Sequence, residues 1–171
     1  MAKTLIAFYS HAGENYVDGS VRFLKRGNNE VIVDKIKALL PVADVFRIET
    51  VKKYKEDYYE LIEEAKQELR AKARPTLKAD IDISKYDTIY LGWPCWWGTY
   101  PMCVATFLEA HDWNGKTVIP FTTHEGSGWG RGLSDLKAAL PGATIGKGLC
   151  IQGSKVSSSM KQIENFISGG R

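Results

Sequence analysis

The residues best able to do chemistry form one run, Gly92-Trp93-Pro94-Cys95-Trp96-Trp97-Gly98-Thr99-Tyr100-Pro101, which follows the apolar segment 88–91 without a break. Prolines stiffen such a loop, glycines let its backbone approach another group closely, and indoles present broad flat faces. So much aromatic surface at the mouth of a core strand calls for something flat to cover it. The chemistry indicated is the binding of a planar organic cofactor.

Two further segments carry suitable donors. One begins at Ser10 and closes with Gly27-Asn28-Asn29 at the start of a helical pattern. The free amides and positive dipole end of a helix favour an anion, particularly a phosphate, and Ser10, Asn28 and Asn29 add neutral donors. Asn28 also suits a plain capping role. The other segment is Thr122-Thr123-His124-Glu125-Gly126-Ser127-Gly128-Trp129-Gly130. His124 is its titratable group of interest: an imidazolium near a reduced cofactor would stabilise negative charge, and a neutral ring still donates a hydrogen bond.

No nucleophile, base and orienting group can be assembled from these residues, so hydrolysis is not supported. Cys95 reads as a small buried hydrophobe rather than a redox thiol. Cys95, Cys103 and Cys150 lack metal-ligand spacing, and an odd count argues against a disulfide framework. A reducing cytoplasm suits them.

Strand-type and helix-type patterns alternate along the chain and must position these segments. Strands are expected at 5–10, 43–49, 88–91, 116–123 and 144–151, and helices at 29–40, 56–73, 102–110, 133–140 and around 156–167. Gly146 and Gly148 suggest a bend or bulge in the fifth strand, and 168–171 should fray. Five strands with helical crossovers give an α/β fold, a three-layer doubly wound five-stranded parallel sheet. The strand order 2-1-3-4-5 puts the loops after strands one, three and four at one sheet edge, where ligands bind in such folds. Those loops are the three segments above.

Composition narrows the classes. A chain of 171 residues, 44% apolar and 25% charged, suits one domain with a full core. Its net charge of +3 comes from interleaved signs, unlike the concentrated basic face of a nucleic-acid binder. The uncharged stretch 88–108 is long enough for a membrane span, but Gly92, Pro94, Gly98 and Pro101 would break a helix there. No membrane insertion and no signal-peptide core are expected. Neither the triphosphate loop Gly-x-x-x-x-Gly-Lys-Ser/Thr nor the dinucleotide fingerprint Gly-x-Gly-x-x-Gly is present. Ser10-His11 and Gly92-Trp93 stand where a receiver domain would need carboxylates.

With these motifs the chain resembles the flavodoxin family, specifically the branch whose third loop reads Gly-aromatic-Pro-x-Trp-Trp-Gly-x-x-Pro. The resemblance covers nearly the whole sequence and implies bound FMN. It puts the phosphate at Ser10, His11, Ala12, Asn28 and Asn29, and the isoalloxazine ring along Pro94, Cys95, Trp96, Trp97 and Gly98. His124, Glu125, Gly126, Ser127 and Gly128 match the second ring-contacting loop. Asn29 stands where the family commonly has Ser or Thr. Residues 13–26 form an insert in the first loop, carrying the Glu14-Asn15-Tyr16 found in some members of the branch. The implied function is electron transfer through FMN to an unidentified redox partner protein or small acceptor. NAD(P)H-dependent reduction of quinones or similar acceptors is one alternative, and a flavodoxin-like module without tight FMN is another. Low-potential carriers usually present an acidic surface, which the net +3 does not suggest, and this raises the reductase reading.

Overall fold

A computed structural model describes residues 3–169. In chain order its elements are β1 (Thr4–Phe8), β2 (Gly13–Val17), β3 (Ser20–Leu24), α1 (Asn28–Leu39), β4 (Asp44–Arg47), α2 (Tyr58–Ala71) and β5 (Thr88–Pro94). There follow α3 (Met102–Glu109), β6 (Thr117–His124), α4 (Gly132–Ala139), β7 (Thr144–Ile145), β8 (Leu149–Gln152), a 3-10 turn (Gly153–Ser158) and α5 (Met160–Gly169).

The main sheet is parallel, ordered β4-β1-β5-β6-β7, with β8 also paired to β6. It has six strands rather than five, because the strand expected over 144–151 is split. The reason lies in β6. Val118 turns its carbonyl toward the fifth strand and accepts from the Gly146 amide at 2.8 Å. Two residues on, Pro120 faces the same edge with no N–H to offer. The ladder lapses there and resumes at Phe121↔Leu149.

Side chains on the strands alternate between two cores. Leu5, Ala7, Ile89, Leu91 and Trp93 face a cluster with Cys103, Phe107 and Leu136 of α3 and α4. Ile6, Phe8, Ile119 and Phe121 face Ile32 and Ile36 of α1 and Ile163 and Phe166 of α5. Strand β5 runs three residues beyond its expected end, pairing Trp93↔Thr122 and Pro94↔Thr123. The Trp93 indole is wholly buried against Tyr100 and Trp129, and Trp113 is also core.

The insert after β1 is a β-hairpin, β2–β3, an addition to the expected elements. Ser168 and Gly169 are helical rather than frayed, and Gly170 and Arg171 lie outside the described residues. The uncharged stretch 88–108 becomes strand, loop and helix, and no helix among the described residues is long and apolar enough to cross a membrane.

Gly92 allows β5 and β6 to close on one another, because a Cβ there would lie 2.1 Å from the Phe121 ring. Gly92→Ala should therefore destabilise the fold by about 1–3 kcal/mol, the usual cost of overpacking. A denaturant midpoint equal to wild type would contradict this packing argument.

Candidate functional site

Three parallel strands, β1, β5 and β6, deliver their loops to one edge of the sheet. After β5, the Cys95 amide donates to the Thr123 carbonyl at 2.8 Å and ties the third loop to β6. The chain then reverses over Trp96 to Thr99, whose amides and carbonyls exchange bonds of 2.8 and 3.2 Å. Trp97 (φ +53°) and Gly98 (φ +81°) occupy the two central positions, as a type I′ turn requires. The left-handed conformation costs an ordinary residue roughly 1–2 kcal/mol.

The two indoles separate. Trp96 turns inward, its edge contacts being Tyr54 (5.1 Å between ring centres), Tyr9 (5.3 Å) and His11 (6.0 Å). Trp97 stays 47% exposed; its N–H donates to the Ile62 carbonyl of α2 at 2.8 Å, and the Lys66 ammonium sits 5.5 Å above the ring. These contacts hold the strained residue in place.

The fourth loop begins at His124. The Gly126 amide donates to its Nδ1 at 2.9 Å, which leaves the proton of the neutral ring on Nε2. Glu125 works as a latch. Its Oε1 accepts from the Ser154 amide (2.9 Å), and its Oε2 accepts from Gln152 Nε2 (3.2 Å) and the Asp18 amide at the hairpin tip (3.4 Å). Ser127 donates its hydroxyl to Cys95 Sγ at 3.4 Å. Gly130 is held against the third loop, where a Cβ would lie 2.2 Å from the Gly98 oxygen.

The first loop supplies neutral donors. Gly27, not Asn28, occupies the N-cap of α1, with no side-chain cap bond. Ser10 Oγ accepts from the Glu30 amide at 3.1 Å, which leaves its hydroxyl proton free to donate. The amides of Asn28 and Asn29 have no acceptor among the described residues. Asn29 is 1% exposed; its Oδ1 accepts from Thr123 at 2.7 Å, and its Nδ2 is buried without a partner. A buried donor left open costs about 1–3 kcal/mol, so it marks a place built for an acceptor. His11 is also buried, with Nε2 unpartnered, and burial lowers its ring from 6.5 to about 4.

The hairpin closes the remaining side. Glu14 accepts from the Tyr58 amide at the start of α2 (2.7 Å), and its own amide donates to the Glu56 carbonyl. Tyr16 faces Tyr58, with 6.1 Å between ring centres.

Together these elements enclose a cavity of about 330 Å³, the size of a small-ligand site. Of the residues singled out from sequence, Asn28, Pro94, Cys95, Trp96, Trp97, His124, Glu125 and Ser127 line it. Ser10, His11, Ala12, Asn29, Gly98, Gly126 and Gly128 belong to the same three loops without lining it. Tyr58, Leu61, Ile62 and Ala65 form a wall that sequence reasoning missed, while Glu14, Asn15, Tyr16 and Thr123, named in their segments without a site role, also line the cavity. Asp18-Gly19 between alternating residues was the hairpin signal. No such signal exists for α2, whose Leu61 and Ala65 read as ordinary core. The arrangement suits a molecule with an anionic end at α1 and a flat group between the third and fourth loops.

The flavodoxin sequence profile matches residues 21–167 of the chain. Among solved structures, a candidate flavoprotein from Bacteroides uniformis is 27% identical, with a TM-score of 0.73 over 95% of this chain and 98% of that one. A second, from Bacteroides eggerthii, is 25% identical, with a TM-score of 0.72 over 96% and 99%. A flavoprotein from Lactobacillus acidophilus in complex with FMN is 20% identical, with a TM-score of 0.65 over 92% and 98%, which is a likeness of fold. No curated protein matches the chain.

The His11 shift has a definite pH signature. Between about pH 6.5 and pH 4 the unfolded ring binds the proton and the folded ring does not. Stability contributed at this position is therefore full above pH 6.5 and falls as pH drops toward 4, by up to about 3 kcal/mol. Urea unfolding of His11→Asn should show a shallower loss over that window than wild type. Parallel pH curves would show that the ring is protonated in the fold.

Proposed function

The chain belongs to the flavodoxin family, and from that premise we propose that it binds FMN in this cavity and transfers electrons through it. The observation that carries the reading is that the open donors at the start of α1 and the Trp97-Gly98 turn stand on loops leaving one edge of the sheet, with Asn28 and Trp97 both lining the cavity. Bound there, FMN supplies the one- and two-electron chemistry of its ring.

The chain's own residues then divide the work. The amides of Asn28 and Asn29, the Ser10 hydroxyl and the loop at His11 and Ala12 receive the phosphate. His11 does so as a neutral ring, so the anion is met by a helix end and hydrogen bonds rather than by a cation. Pro94 to Gly98 flank one side of the flavin ring and His124 to Gly128 another. His124 presents Nε2–H as a donor, and Trp97 shields the ring from water. The chain acts as a single flavodoxin-like domain with the hairpin as its insert, and its three free cysteines suit the cytoplasm. Its partner is a redox protein or a small acceptor.

A second reading is an NAD(P)H-dependent reductase of quinones or similar acceptors. The wall of Tyr16, Tyr58 and Ile62 favours it, because it offers an apolar aromatic face to a second flat molecule. Oxidation of NAD(P)H in the presence of a quinone separates reductase from carrier.

The first test is to incubate the purified chain with FMN, desalt it and record the absorption spectrum. Retained flavin bands support the site, and a flavin-free spectrum favours a module without tight FMN. Trp97→Ala should weaken FMN binding by roughly tenfold, the loss of one aromatic contact. Unchanged affinity would remove Trp97 from the site. His124→Ala should lower the flavin midpoint potential in a redox titration, and an unshifted potential would exclude a tuning role for the imidazole.

A further inference from the structure

Trp96 belongs to two surroundings at once. It lines the cofactor cavity, and its edge meets Tyr54 at 5.1 Å and 87°. Tyr54 in turn lines a second cavity, of about 530 Å³, together with Glu64 and Glu68. Its hydroxyl donates to Glu68 Oε1 at 2.7 Å. Trp96 and Tyr54 therefore form a shared wall between the two cavities, with a proton acceptor in place on the far side.

Indole and phenol are among the side chains most easily oxidised by one electron. A phenol gives up its electron readily only if its proton leaves at the same time, which requires a base already hydrogen-bonded to it. Tyr54 has that base. Tyr9, the other tyrosine against Trp96, has no carboxylate on its hydroxyl among the described residues. Burial raises the Glu68 carboxyl, so it accepts a proton more readily than an exposed one. Cys103 is a buried thiol pushed up to about 12, so it offers no thiolate as a competing donor.

We propose that Trp96, Tyr54 and Glu68 form a one-electron relay that carries an oxidising equivalent from the cofactor cavity to the second cavity. The oxidant named in this proposal is photo-excited flavin, which rests on the FMN reading above; the relay itself lies in the protein. A one-electron oxidant leaves Trp96 as an indole radical cation. Tyr54 returns one electron to the indole and passes its phenolic proton along the hydrogen bond to Glu68. The products are a closed-shell Trp96, a neutral tyrosyl radical and a protonated Glu68. A small reductant of the thiol or ascorbate class entering the second cavity restores Tyr54 with one electron, as the proton returns from Glu68. The relay thereby protects Trp96 from irreversible damage beside the cofactor.

Pulse radiolysis tests this without FMN, because the azide radical oxidises tryptophan directly. In the wild-type chain a fast phase should convert indole radical to phenoxyl radical. Trp96→Phe and Tyr54→Phe should both abolish that phase, while Tyr9→Phe keeps it. Glu68→Gln should slow it by roughly tenfold, equivalent to about 1.4 kcal/mol of barrier. Wild-type protein in deuterated water should also slow, a readout that does not depend on how any variant folds. A fast phase that survives in Tyr54→Phe, or lacks an isotope effect in wild type, overturns the relay. Failure of the chain to retain FMN overturns only the flavin reading, since the radiolysis result stands on apo protein.

Discussion

The site depends on the in-register parallel pairing of β1, β5 and β6. Phe8 pairs with Gly92 and Gly92 with Phe121, so the three strands stay level up to the point where their loops depart. One missing side chain permits this, because Phe121 fills the space that a Cβ on Gly92 would need. Parallel strands leave the sheet on the same edge, and the helices that return the chain lie on its two faces. The first, third and fourth loops therefore meet without any long-range tie of their own. The bonds between them, such as Cys95 to Thr123 and Asn29 to Thr123, refine an encounter that the sheet has already made.

On that frame one strained residue, Trp97, lines the cavity directly. Two reversals use the same chemistry, Asp18-Gly19 at the hairpin tip and Trp97-Gly98 in the third loop, each with positive φ at both central residues. Asp18 is a common occupant of such a turn, and a tryptophan is a costly one. The bond from Trp97 to the Ile62 carbonyl and the cation over its ring offset part of that cost. An indole held this way cannot rotate back into the core, and it stands half exposed at the cavity rim.

Much of this was legible in the sequence, for reasons that can be named. The three loops that meet at the sheet edge announced themselves through Gly, Pro and Trp, residues with strong local rules. The parallel α/β layering followed from buried strands alternating with amphipathic helices. The hairpin escaped because its alternating residues sat inside a segment read only as an insert, although Asp18-Gly19 carried the signal. The division of the fifth strand escaped because its cause, Pro120, lies in the neighbouring strand, and pairing across strands leaves no local trace. The α2 wall was hidden for a different reason: the same Leu61 and Ala65 pack a core or line a cavity, and only tertiary placement decides which.

Placement also revises what the charge count suggested. A net +3 for the chain points away from the acidic surface of a low-potential carrier. Yet among the described residues the cavity is lined by Glu14 and Glu125 and by no lysine or arginine. Both carboxylates are held by backbone amides, Glu14 by Tyr58 and Glu125 by Ser154 and Asp18. Arg47, whose guanidinium donates to the Ser10 carbonyl at 3.4 Å, is paired with Glu30 at 3.2 Å. The field at a redox centre is set by groups within a few ångströms, because screening removes most of the influence of exposed charges farther than about 8–10 Å. An FMN in this cavity would lie beside the two carboxylates, with its phosphate facing mainly neutral donors. Both would disfavour the extra negative charge of reduction in a bound flavin. The net +3 of the whole chain is therefore no argument against the carrier proposed above, and the aromatic wall of Tyr16 and Tyr58 is what the alternative reductase reading would use.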